Sequence, residues 1–213
     1  MPLWSSSVAG LYAIVDLDAC RGRDPLWLAD EILAGGCAVL QLRSKNQTDR
    51  ERLRVACALK EKCAEAGVPF VVNDRVDLAL LSEADAVHLG QDDLSLDEAR
   101  AIAPHLPMGV STHDPAQLEE ALHHPLAYVA FGPVFSTASK ANPDPVVGLV
   151  RLKEAVARAG TVPLVAIGGI RMESAAEIHA TGARLGAVIG ELAGADDPRR
   201  TARALHRVLS GAR

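Results

Sequence analysis

Residues 70–93, FVVNDRVDLALLSEADAVHLGQDD, decide the fold. Two short apolar runs, Phe70–Val72 and Ala86–Leu89, each end in polar residues able to bind ligands. Asn73-Asp74-Arg75 follows the first, and Gly90-Gln91-Asp92-Asp93 follows the second. The same arrangement recurs in both directions along the chain. Gln41-Leu42-Arg43-Ser44-Lys45 follows Ala38–Leu40, Ser111-Thr112-His113 follows Met108–Val110, and Phe131–Lys140 follows Ala127–Ala130. Gly168-Gly169-Ile170 then follows Leu164–Ile167. Most of these runs are continuously apolar rather than alternating, as parallel strands covered on both faces require. Functional groups at the C-terminal ends of successive parallel strands are how a (β/α)8 barrel builds one active site. The fold class is therefore α/β, a TIM barrel.

Eight strands are expected near 11–15, 38–42, 69–72, 86–89, 107–111, 127–131, 163–167 and 184–189, alternating with helical stretches of roughly 8–19 residues. Helix starts are marked. Thr48-x-x-Glu51 and Ser95-x-x-Glu98 have capping-box form, and Asp114-Pro115-x-Gln117 sets an acceptor before a proline at the first helical position. In the second helix Leu53, Ala56, Cys57, Cys63 and Ala64 share one face, opposite Glu51, Arg54, Lys62 and Glu65. No proline- or glycine-rich linker divides residues 1–213, which read as one barrel domain with 1–9 as a short or disordered N-terminal extension. A doubly wound sheet also alternates strands and helices, but it gathers ligands at one switch point rather than at nearly every strand end. The longest irregular stretch is 132–147, and loops of about 15 residues are usually functional or disordered.

Composition narrows the function. A net charge of −5 without a basic stripe argues against a nucleic-acid binder, though not against small phosphorylated ligands. No apolar run approaches the ~20 residues of a membrane span, and Met1–Gly10 lacks the features of a signal peptide, so a cytoplasmic protein is expected. Cys20, Cys37, Cys57 and Cys63 lack metal or disulfide spacing and read as reduced, core-packing thiols.

Asp74 and Asp93 each follow a strand, and adjacent barrel strands bring their turns together. Two carboxylates in a cleft suit Mg²⁺, which takes one or two protein carboxylates plus phosphate oxygens and water. Either aspartate alone reads equally well as a turn residue capping a helix. Asp92 competes with Asp93, but neighbours on an extended chain point in opposite directions. Gln41, Arg43 and Lys45 share one face of an extended segment, a possible diphosphate clamp if that face is the barrel mouth and a solvated loop if it is not. Lys140, at the end of the long loop, could supply a third cation. Gly168, Gly169 and the segment Val188-Ile189-Gly190 end the seventh and eighth strands, where barrels often bind phosphate through backbone N–H groups. His88 and His113 either line the site or are buried and hydrogen-bonded; His123 and His124 sit late in a helix, and His105, His179 and His206 look peripheral. There is no zinc spacing, no Ser-His-Asp arrangement and no dominant general base. The inventory fits leaving-group stabilisation at a phosphorylated substrate better than proton abstraction.

From Leu11-Tyr12 to about Pro198 the chain resembles the thiamine phosphate synthase family. Six strings carry the resemblance, in order: Gln41–Lys45, Asn73–Ala79, Val87–Asp93, Gly109–His113, Phe131–Lys140 and Ala166–Ile170. It implies a transferase that joins 4-amino-2-methyl-5-hydroxymethylpyrimidine diphosphate to a thiazole phosphate, or its carboxylated tautomer, giving thiamine phosphate and diphosphate with Mg²⁺ assistance. By motif position, Gln41, Leu42, Arg43, Ser44, Lys45, Asn73, Ser111 and Lys140 would hold the pyrimidine diphosphate. Arg43, Lys45, Ser111 and Lys140 would act in catalysis, and Asp74 and Asp93 would bind one Mg²⁺. Thr137, Ala138, Ser139, Gly169, Ile189 and Gly190 would hold the thiazole phosphate. The resemblance also shows three departures: Ser44 for a frequent acidic residue, Ser136 for a frequent proline, and Gly190 for a usual serine. A sister group of the same fold, the thiazole tautomerases, tends to carry histidine where this chain has Pro133. A sugar-phosphate isomerase would need an acid–base pair that is not evident, and a catalytically silent homologue would be expected to have lost Asp74, Asp93 or Lys140. The oligomeric state is not specified by any of these residues.

Overall fold

The computed structural model describes residues 8–137 and 144–212. Eight parallel strands close into a barrel in sequence order: β1 (Gly10–Asp16), β2 (Val39–Arg43), β3 (Phe70–Asn73), β4 (Ala86–Leu89), β5 (Met108–Thr112), β6 (Tyr128–Phe131), β7 (Leu164–Ile167) and β8 (Leu185–Val188). β1 pairs with β8, which leaves no sheet edge and excludes the doubly wound alternative. Each strand lies within two residues of its expected span.

The interleaved helices are α1 (Pro25–Gly35), α2 (Asp49–Ala66), α3 (Val76–Leu81), α4 (Leu96–Ile102), α5 (Pro115–Leu122), α6 (Gly148–Ala159) and α7 (Ala175–Ala180). A 3₁₀ turn, Met172–Ser174, precedes α7. Two helices follow β8: the four-residue α8 (Gly190–Ala193) and α9 (Pro198–Ser210). α3, α4, α7 and α8 are shorter than the 8–19 residues expected. α3 stops where the Ser82 hydroxyl donates to the Leu78 carbonyl, 2.7 Å away, and the backbone turns.

Of the start signals, Ser95 and Glu98 form a complete capping box, with Glu98 N–H to Ser95 Oγ at 3.2 Å and Ser95 N–H to Glu98 Oε2 at 2.9 Å. At α2 only the Thr48 half forms, accepting from Glu51 N–H at 3.3 Å, while the Glu51 carboxylate lies 4.0 Å from Arg54. Asp114 accepts from Ala116 and Gln117, with Pro115 at the first helical position. The buried face of α2 is centred on Val55, Ala56, Leu59 and Cys63; Ala64 is exposed, so the expected stripe is rotated toward Val55 and Leu59.

Alternation along the strands splits the apolar residues into two layers. Leu11, Ala13, Leu40, Leu42, Phe70, Val72, Met108, Val110 and their neighbours face the helices and form the larger core. Tyr12, Ile14, Val39, Val71, Ala86, Tyr128, Ala130, Val165, Leu185 and Ala187 fill the barrel. Cys20, Cys37 and Cys63 are buried, Cys57 is half-buried, and all four are free, as expected for packing thiols. Burial pushes the Cys63 thiol up to about 12 and the Cys20 thiol up to about 11, so both stay protonated and unreactive at neutral pH. His206 is less peripheral than its position in the sequence suggests. Its half-buried ring accepts from the Leu11 N–H at 3.2 Å and ties α9 under β1.

Candidate active site

The side chains that point inward near the C-terminal ends of the strands decide the chemistry. On β2 the alternation places Gln41 and Arg43 inside, with Leu42 turned into the helix-facing core; only the backbone of Leu42 reaches the strand end. Gln41 is almost fully buried. Arg43 Nη1 is ion-paired with Asp16, which ends the neighbouring β1 and is itself buried. Asp16 Oδ1 also accepts from the Asp18 N–H at 3.0 Å, so the carboxylate is fixed and in turn fixes the guanidinium. Asp16 was not among the sequence-derived candidates, although it too stands where an apolar run stops; its role comes from pairing with Arg43, 27 positions on, and that pairing has no local signal. Ser44 turns away from the mouth and donates to Gln47 Oε1 at 2.6 Å while accepting from Arg52 Nε.

Lys45 projects beyond β2 and pairs with Asp74 at the end of β3. Asp74 has a left-handed backbone (φ 65°), which residues other than glycine adopt rarely. Its N–H donates to the His88 carbonyl at 2.7 Å, anchoring it to β4. Asp93, in the next turn, accepts from the Gly90 N–H at 2.7 Å through Oδ2 and lies within hydrogen-bonding distance of Asp74. Asp92 is exposed, whereas Asp93 is half-buried beside Asp74. Burial and the neighbouring Asp74 hold the Asp93 carboxyl above the usual carboxylate range. Among the described residues no cluster of three or more His, Cys, Asp or Glu could hold a metal. A carboxylate pair, without nitrogen or sulfur ligands, matches a hard divalent cation that takes its other ligands from phosphate and water.

Asn73 ends β3 beside His88, and Ser111 lies on β5. His88 is buried, and its two ring nitrogens bridge Tyr128 Oη at 3.0 Å and Ser111 Oγ at 2.8 Å. It is therefore both buried and part of the site wall. Burial lowers its pKa from 6.5 to about 4, so the ring is neutral at physiological pH. The unfolded chain binds this proton below about pH 6.5 and the folded protein does not until about pH 4, so His88 should erode stability as pH falls through that window. Urea unfolding at stepped pH should show this loss, and His88→Gln should remove that component. Equal pH slopes in the two proteins would show that His88 contributes nothing.

Across the mouth, Gly168 and Gly169 have φ of 100° and 65°. A Cβ at Gly168 would lie 2.5 Å from Pro133 Cα, and one at Gly169 would lie 2.4 Å from the Ser136 carbonyl oxygen. The glycines thus let the segment after β6 lie directly on the β7 turn, where Val134 N–H donates to Ile167 O and Phe135 N–H to Gly168 O. Gly132–Pro133 is a cis peptide. His113 closes the base of this loop, with Nδ1 2.6 Å from the Gly132 carbonyl and Nε2 3.4 Å from Asp144. Ile189 packs at the top of the barrel interior, and Gly190 begins α8 with open space around its Cα. Thr137 lies at the end of the described loop segment; Ala138, Ser139 and Lys140 lie outside the described residues. Arg43, Lys45, Asn73, Asp74, Asp93 and Ser111 therefore sit on four adjacent strand ends, with the β7 and β8 turns opposite. Tyr12 and Tyr128 complete the wall beneath them; neither was among the sequence-derived candidates.

The sequence pattern of the thiamine monophosphate synthase family matches residues 11–192. Thiamine-phosphate synthases from Koribacter versatilis and Methanocella arvoryzae are 44% and 43% identical, covering 93% and 94% of this chain and 95% and 94% of theirs. Among solved structures, a thiamine phosphate pyrophosphorylase from Pyrococcus furiosus is similar at a TM-score of 0.86 and 34% identity, over 95% of this chain and 96% of that one. A 3-hexulose-6-phosphate synthase at 19% identity and a TM-score of 0.67 shares the fold.

Proposed function

Because this chain belongs to the thiamine monophosphate synthase family, we propose that it joins 4-amino-2-methyl-5-hydroxymethylpyrimidine diphosphate to a thiazole phosphate and releases diphosphate. The observation that carries this reading is the convergence of Arg43, Lys45 and the Asp74–Asp93 pair on one barrel mouth. Cations and carboxylates side by side suit a diphosphate bound with a divalent ion better than either group alone would. The site asks for a departing anion to be stabilised. The bond from the pyrimidine methylene to the diphosphate breaks, and the thiazole nitrogen lone pair forms the new bond to that methylene. That nitrogen carries no proton to be removed, which fits a site without an evident general base.

Asp74 and Asp93 would hold one Mg²⁺, which when bound supplies positive charge to the leaving diphosphate. Arg43, oriented by Asp16, presents guanidinium N–H groups to the same anion. Lys45, ion-paired with Asp74 and about half exposed, would offer its ammonium to a phosphate oxygen of the same diphosphate. Asn73 and Ser111 offer polar groups to the pyrimidine, with Gln41 behind them. By motif position, the amides at Gly169, Ile189 and Gly190 would bind the thiazole phosphate, and Lys140 would complete the cation set. Pro133 has no ionisable group, which favours joining over isomerisation of the thiazole.

The test is to combine the purified protein with both substrates and Mg²⁺ and follow diphosphate and thiamine phosphate. Mg²⁺-dependent formation of both products supports the reading. Isomerisation of the thiazole phosphate alone would move the activity to a tautomerase, and no turnover would leave a binding role. Gly190 supplies a second test. A side chain there meets nothing within 4 Å and the backbone is not left-handed, so Gly190→Ser adds a hydroxyl without strain. One added hydrogen bond to phosphate should lower KM for the thiazole phosphate by about 3- to 10-fold. An unchanged KM would show that the phosphate does not approach Gly190.

A further inference from the structure

We infer that a buried hydrogen-bond relay, Gln41–Tyr12–Tyr128–His88, fixes the Ser111 hydroxyl as a donor pointing into the barrel mouth. The inference rests on the pyrimidine diphosphate reading of that mouth only for the identity of the ligand. Five strands contribute one residue each: Tyr12 from β1, Gln41 from β2, His88 from β4, Ser111 from β5 and Tyr128 from β6. Gln41 Nε2 lies 2.8 Å from Tyr12 Oη, Tyr12 Oη lies 2.8 Å from Tyr128 Oη, and Tyr128 Oη lies 3.0 Å from His88 Nδ1. His88 Nε2 lies 2.8 Å from Ser111 Oγ. Gln41, Tyr12, Tyr128 and His88 are all nearly inaccessible to solvent, so water cannot reset the direction of the three links between them.

Each hydroxyl has one proton, so direction at one end propagates to the other. The Gln41 amide nitrogen can only donate, and Tyr12 Oη therefore accepts. The Tyr12 proton then goes to its remaining partner, Tyr128 Oη. Tyr128, now an acceptor, gives its own proton to His88 Nδ1. A neutral imidazole that accepts at Nδ1 carries its proton at Nε2 and donates it to Ser111 Oγ. Ser111 accepts from within, and its proton is left for an acceptor atom of the ligand. The rings are held for this task. His88 and Tyr128 are nearly parallel at an interplanar angle of 8°, and Tyr12 meets Tyr128 edge-on at 62°. The reverse polarity requires the Gln41 carbonyl toward Tyr12, the His88 proton on Nδ1 and Ser111 offering only a lone pair.

His88 and Tyr128 are thus positioning residues, and the two polarities differ in an observable. Nitrogen-15 NMR of the full-length protein, with histidine labelled and the His88 signal assigned by loss in His88→Gln, reads the tautomer without any substrate. A proton on Nε2 is expected, and a proton on Nδ1 would overturn the relay. The second measurement is steady-state kinetics of Tyr128→Phe and His88→Gln. Tyr128→Phe removes the donor to Nδ1 and should raise KM for the pyrimidine diphosphate by about 3- to 10-fold with little change in KM for the thiazole phosphate. His88→Gln places an amide N–H where Nε2 stood and should retain more affinity than His88→Ala. Equal loss for both substrates, or no advantage of glutamine over alanine, would reduce these residues to structural support. If the protein does not join the two substrates at all, the proposed function fails, and the tautomer measurement still decides the relay.

Discussion

Asp93→Asn should lower turnover on the order of 10²- to 10³-fold while leaving the ligand-free protein no less stable. The two halves of this result have the same cause. Asp93 is partly buried, beside the Asp74 carboxylate, and held above the usual carboxylate range by burial and by Asp74. Its negative charge there is unfavourable, so removing it relieves the fold. Asparagine keeps the shape and can still accept the Gly90 N–H that Asp93 accepts at 2.7 Å. What it removes is the anionic oxygen needed beside a divalent cation. A core residue behaves in the opposite way, since its loss lowers the unfolding temperature and affects turnover only indirectly. Thermal unfolding and initial rates on the same preparation separate the cases, and retained activity with a lowered unfolding temperature would remove Asp93 from the metal site. Chelation of Mg²⁺ from the unaltered protein should reproduce the kinetic loss and be reversed by adding the metal back.

Asp74 has the same signature by another route. A positive φ at a non-glycine residue is unfavourable unless the surroundings enforce it, and such residues gather at functional sites. Here the enforcing contacts are its N–H bond to the His88 carbonyl and the ion pair to Lys45. Strain, charge repulsion and an exposed lysine at one point are poor for stability and are what the proposed metal–diphosphate pair would relieve.

The barrel was legible because parallel strands buried on both faces leave continuous apolar runs, and because polar residues follow those runs at nearly every strand end. Asp74, Asp93, Arg43 and Lys45 were readable for the same reason: they stand where an apolar pattern stops. What escaped the sequence were residues whose function depends on partners distant in the chain. Asp16 holds Arg43 across 27 positions, and Tyr12 meets Tyr128 across 116. Neither pairing has a local signal. The short helices escaped too, because α8 has only four residues and no hydrophobic period to read. The glycine pair at 168 and 169 was legible as the turn that ends the seventh strand, but its tight packing against Pro133 and Ser136 was not.

Gly109 joins the fold and the site at one atom, and Gly109→Ala should lower stability by about 3 kcal/mol, or roughly 10 °C in unfolding temperature. On β5 it faces the barrel interior, two residues before Ser111 and in register with Tyr128. A Cβ built there falls 2.1 Å from the tip of the Tyr128 ring and 2.4 and 2.6 Å from the adjoining ring carbons. Side chains do not tolerate such distances, and Tyr128 has no room to retreat. It is fully buried, its hydroxyl is bonded to Tyr12 and His88, and its ring lies against both. The missing side chain at 109 is therefore the space in which the tyrosine lies, which explains a glycine in the middle of a strand. Gly109→Ala should cost little or nothing further in a Tyr128→Ala background, because the new methyl then enters a cavity instead of a ring. A double variant whose destabilisation is the sum of the two singles would show that the clash is relieved elsewhere, by movement of β5 itself.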